Sequence, residues 1–71
     1  MKGSEFIKKV KRYGTEKGLA VVFDKKHGKG SHGRLFVGSA FTTLKDQKKE
    51  IGKGLLQSMC KDLGIDPKDL K

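Results

Sequence analysis

The sequence predicts an α+β fold in the order helix, strand, strand, strand, helix, with a three-stranded antiparallel sheet packed on two helices. Three observations predict it. Apolar residues recur at helical spacing near both ends of the 71-residue chain. Between them lie short runs rich in β-branched and aromatic residues. A Gly38-Ser39 pair joins two of those runs, the signal of a tight hairpin. The two helical stripes need an apolar partner, and one face of the sheet is the partner available.

The first helix is expected over Ser4 to Tyr13. Ser4 reads as its N-cap, and Glu5 suits the positive end of the helix dipole. Phe6, Ile7, Val10 and Tyr13 make the apolar stripe, and Gly14 reads as the closing residue. Lys8, Lys9, Lys11 and Arg12 form a basic run, read as a solvated face in preference to a phosphate track. Strands are expected over Leu19 to Asp24, Arg34 to Val37 and Ala40 to Leu44. Lys45 to Glu50 is a charged loop. The second helix is expected over Lys53 to Leu63, with Leu55, Leu56, Met59, Cys60 and Leu63 on one face and Ile51 leading in. Gly64 then ends it, Ile65 folds back in a Schellman-like motif, and Asp66-Pro67 opens one more short turn.

The length is that of one domain, residues 1-71, which buries roughly 60% of its unfolded surface. Apolar residues are 34% of the chain, but they are grouped, which argues for a folded domain over disorder. Seventeen Lys and Arg against eight Asp and Glu leave a net charge of +9. Such a surplus attracts polyanions by counterion release, so nucleic acid is the first candidate partner. A membrane surface and an acidic protein come second and third. No apolar run is long enough for a signal peptide or a membrane span, and the single Cys60 has no intrachain disulfide partner. A cytoplasmic protein is expected.

The chemistry concentrates in residues 25 to 45, which contain Lys25, Lys26, Lys29, Arg34 and Lys45 and no acid. Gly28, Gly30 and Gly33 spell G-x-G-x-x-G, but a strand follows where a dinucleotide site needs a helix. The glycines instead allow sharp bends and close approach of backbone N–H groups to a phosphate. His32 is the candidate catalyst, because an imidazole can take or give a proton at neutral pH. RNA brings its own nucleophile, the 2′-OH beside the scissile phosphate. Cleavage then needs an acid or base near that oxygen and positive charge near the phosphate. His32 is the candidate for the first, and Lys29 and Arg34 for the second. The bland alternative is a His that only stacks or hydrogen-bonds. His27 reads as a solvated loop residue. Ser31 can cap an N–H or touch phosphate, but it has no acidic partner nearby to make it a nucleophile. The two His and one Cys match no metal-ligand spacing, and Met59 and Cys60 read as core.

The element order resembles the double-stranded-RNA-binding domain. More specifically, Gly30-Ser31-His32 opening a strand, then Ile51-Gly52-Lys53-Gly54-Leu55-Leu56 leading into a helix that ends Leu63-Gly64-Ile65, resembles the HicA toxin family. The resemblance runs from about Ser4 to Ile65. It implies a small endoribonuclease that cuts mRNA with a catalytic His at the position of His32 and needs no metal cofactor. It also implies a HicB-type antitoxin protein covering the basic face. Lys25, Lys26, Lys29, Gly30, Ser31, Arg34 and Lys45 are the expected RNA-binding residues around it. Two departures stand out. Some family members carry Pro where Lys53 stands. Many carry a bulky or polar residue after the His, where this chain has Gly33.

Two other readings compete. A non-catalytic RNA-binding module would use the same charge and could present Phe36 or Phe41 to bases if they are exposed, although one or both are expected in the core. A protein-interaction module would use the charge only to match an acidic partner.

Overall fold

The computed structural model describes residues 1–24, 33–45 and 47–70 of the chain. The elements are α1 (Gly3–Lys17), β1 (Val21–Asp24), β2 (Gly33–Val37), β3 (Ala40–Leu44) and α2 (Lys53–Leu63), followed by a 3-10 turn at Pro67–Asp69. The sheet is antiparallel in the order β1-β2-β3. This is the α+β arrangement read from the sequence.

Alternation along the strands splits the sheet into two faces. Leu35, Val37, Thr42 and Leu44 are buried on the inner face, with Val21 and Phe23 packed beside them. Both helices lie against that face, α1 beside β1 and α2 beside β3. Phe6 and Val10 from α1, Leu35 from β2 and Cys60 from α2 are fully buried where the layers meet. Each such side chain is worth about 1.5–3 kcal/mol in removal from water. Leu55 departs from its expected place. It is 53% exposed, because the contact arc of this short helix is filled by Met59, Cys60 and Leu63, and Leu55 falls outside it.

The ends of α1 also differ from the sequence reading. Its N-cap is Lys2, not Ser4. The first free N–H groups are satisfied by backbone, with Gly3 N–H donating to Lys49 C=O (3.1 Å) and Ser4 N–H to Gln47 C=O (2.9 Å). Glu5 Oε1 accepts from Lys2 N–H at 3.2 Å. Gly14 lies inside the helix and is buried, and the helix closes one turn later at Gly18, where φ is +70°. Leu19 N–H donates to Gly14 C=O across that turn, so β1 begins only at Val21.

The remaining punctuation is as read. Gly38 takes φ +60° in the Gly38-Ser39 hairpin, and Val37 faces Ala40 across it. After α2, Gly64 N–H donates to Lys61 C=O and Ile65 N–H to Cys60 C=O, the paired bonds of a Schellman motif. Ile65 is 4% exposed and folds back onto the core. Asp66 caps the last turn by accepting from Lys68 N–H at 3.0 Å.

Candidate nucleic-acid interface

Strand register decides where the expected site residues fall. Asp24, the last residue of β1, pairs with Arg34, and Gly33, the first of β2, pairs with Leu44, the last of β3. One end of the sheet therefore holds Arg34, both anchor points of the 25–32 segment and, one residue past Leu44, Lys45. Arg34 and Lys45 are both exposed. His32, Lys25, Lys26, Lys29, Gly30 and Ser31 lie outside the described residues, as does His27. In the chain His32 immediately precedes Gly33, and Lys25 immediately follows Asp24.

Gly33 has a packing reason to lack a side chain. It is buried on the inner face. A Cβ there would stand 2.7 Å from Phe23 Cζ and 2.9 Å from the Asp24 carbonyl oxygen. The Phe23 ring occupies the space that a side chain at Gly33 would need.

The outer face was weighed in the sequence only through Phe36 and Phe41. Register puts Val22, Phe36 and Phe41 in one row across the three strands. Val22 is 55% and Phe41 49% exposed, and Phe36 is half-buried. The two rings lie 5.7 Å apart, tilted by 37°. The next row holds Asp24, Arg34 and Thr43, with the Arg34 guanidinium 5.6 Å from the centre of the Phe41 ring. That distance is within cation–π range. The sequence did carry a signal for this face. A two-residue turn at Gly38-Ser39 makes Phe36 and Phe41 cross-strand partners, and the aliphatic Leu35, Val37 and Leu44 then claim the core side.

The basic run of α1 faces solvent in part. Lys9, Arg12, Tyr13 and Lys17 line a shallow groove of about 270 Å³ with Glu16 and Asp69. Lys17 Nζ sits 5.9 Å from the Tyr13 ring centre. The two acids make this groove mixed in charge, unlike the acid-free stretch from 25 to 45. Met59 and Cys60 are core, as read. Burial pushes the Cys60 thiol above its ordinary value, with Asp66 adding to the effect. Among the described residues no group of three or more His, Cys, Asp or Glu could hold a metal ion, and no helix is long and apolar enough to cross a membrane.

Comparison with protein families, with characterised proteins and with solved structures finds no match.

Proposed function

We propose that the protein is a metal-independent endoribonuclease of the toxin type, acting on mRNA in the cytoplasm, with His32 moving the proton. The observation that carries this reading is the convergence at one sheet end of Arg34, Lys45 and both anchors of the segment that contains His32. A net charge of +9 supports an RNA substrate.

In this reading His32 takes the 2′-OH proton. A 2′-O–P bond forms, the P–O5′ bond breaks, and the 5′-oxygen receives a proton from water as it leaves. The products are a cyclic phosphate and a 5′-OH. Lys29 and Arg34 offset charge on the phosphate, while Lys25, Lys26 and Lys45 steer the strand. Gly30 and Ser31 let backbone N–H groups reach a phosphate oxygen. The resemblance of Gly30-Ser31-His32 and of the Ile51 to Ile65 stretch to the HicA family supports the same chemistry. It adds a HicB-type antitoxin as the protein that covers the basic face.

The test compares wild type with His32→Ala on a structured mRNA in excess chelator, with product ends analysed. Cleavage by wild type alone, leaving cyclic phosphate ends, is the expected result. Equal cleavage by both proteins would sink the role of His32. Binding by both with no cleavage would leave a non-catalytic RNA-binding module.

A further inference from the structure

We propose that the open face of the sheet is a platform for unpaired RNA, with bases stacked on Phe41 and Phe36 and the backbone carried past Arg34. The direction of the strand, toward the sheet end that anchors residues 25–32, rests on the ribonuclease reading. The platform itself does not.

Three observations carry it. First, the row Val22, Phe36 and Phe41 is apolar, central on the sheet and left open, with half of Phe41 in water. The next outward position on β3 is the polar, exposed Thr43, so the apolar surface is confined to this row. Second, the face pairs its rings with a guanidinium. Arg34 lies 5.6 Å from the Phe41 ring centre, and arginine planes and aromatic faces are the two surfaces on which bases stack. Third, the charge is asymmetric. Among the described residues of the outer face the acid, Asp24, stands on β1 opposite Arg34, whereas Phe36, Phe41, Arg34 and the following Lys45 belong to the β2–β3 half. A phosphate backbone is attracted to the half that carries the rings.

The same geometry selects against duplexes. Bases in an A-form helix are stacked on one another, and its deep major groove admits no side chain. A flat pair of rings on a sheet can be used only by bases that are free of a partner. An apolar protein segment would also cover the row, but the cation on the ring and the net charge of +9 favour a polyanion.

The experiment uses a labelled 2′-O-methyl RNA single strand and a blunt duplex of the same length. Methylation removes the nucleophile, so binding is read whether or not the protein is a nuclease. The chain has no Trp, so Phe41→Trp gives a single reporter on the platform. Wild type is expected to bind the strand more tightly than the duplex. Phe41→Ala should weaken strand binding about tenfold or more and leave duplex binding unchanged. Phe41→Trp should keep the affinity, with fluorescence quenched by the strand and not by the duplex. Because Phe41 is half in water, a circular dichroism melt should show Phe41→Ala folded. Unchanged strand affinity in that variant, an unquenched Trp at saturation, or no binding of the strand by wild type would each overturn the platform. The first two results would show that RNA binds elsewhere than on this face. Cleavage of unmodified RNA is scored separately. Its absence defeats the ribonuclease reading, while Phe41-dependent binding would still stand.

Discussion

Gly14 and Val21 touch so closely that a Cβ on the glycine would overlap Val21 Cγ2 and stand 2.9 Å from the Leu19 carbonyl oxygen. This contact lets β1 leave α1 by a tight turn and still lie against it. Helix propensity alone favours Ala over Gly by about 1 kcal/mol. Overpacking costs about 1–3 kcal/mol, and here part of the obstacle is backbone. Gly14→Ala is therefore expected to destabilise the protein. Gly54, in the first turn of α2, has open space around it, so Gly54→Ala should be neutral or stabilising by up to about 1 kcal/mol. Urea midpoints of the two variants should move in opposite directions or, at least, only the first should fall.

Thr42 Oγ1 donates to Asp62 Oδ2 at 3.0 Å and ties β3 to α2. Thr42 is 3% exposed and Asp62 is exposed, so the two partners are not equivalent. Thr42→Val keeps the shape and frees a carboxylate that water can solvate, for a cost of about 0.5–1.5 kcal/mol. Asp62→Ala strands a buried hydroxyl and should cost about 1–3 kcal/mol. The ordering of the two midpoints checks the account, and a smaller loss for Asp62→Ala would contradict it.

Gly33 and Phe23 make a second close pair, next to His32. Gly33→Ala should lower RNA cleavage more than RNA binding, because the strain enters the backbone immediately beside the proposed catalyst. Phe23→Leu on that background removes the ring and should restore part of the lost cleavage. An additive outcome in the double variant would show that the ring is not what excludes the methyl group.

Cys60 is buried and its thiol is held protonated above the ordinary 9.0. A thiolate-directed reagent should label it only as fast as the protein opens. The stability consequence has a definite sign. Well below pH 9.0 the thiol is neutral in both states and contributes nothing pH-dependent. As pH rises past that value, the unfolded chain loses the proton first, and folding stability falls. The urea midpoint of wild type should drop relative to that of Cys60→Ala as pH is raised above 9.0.

The two kinds of error in reading the fold have different causes. Gly38-Ser39, Gly64-Ile65 and Asp66-Pro67 were legible because turn geometry is local, and the residues that permit it sit in the turn. Ser4 and Gly14 misled because tertiary contacts decided both positions. The loop at 47–49 supplies backbone acceptors to the N–H groups of Gly3 and Ser4, so the helix begins before Ser4, and close packing of β1 explains Gly14 better than a helix end does. Leu55 misled because periodicity cannot say how wide the contact arc of a short helix is. At the site, Arg34 and Lys45 follow from register. One or both of Phe41 and Phe36 are expected in the core, and neither is buried there, because their exposure depends on which face the helices cover.

The contact of Lys49 and Gln47 with the start of α1 closes the chain on itself. Ile51 N–H also donates to Met1 C=O, at 2.7 Å. First-turn helix amides ordinarily exchange with solvent by fraying, one residue at a time. Here the amides of Gly3 and Ser4 are held by the segment that follows β3 in the chain. Their exchange rates should match that of Ile51, and the two segments should open as one cooperative unit. On that expectation the beginning of α1 and the approach to α2 behave as a single foldon, assembled from parts of the chain that are distant in sequence.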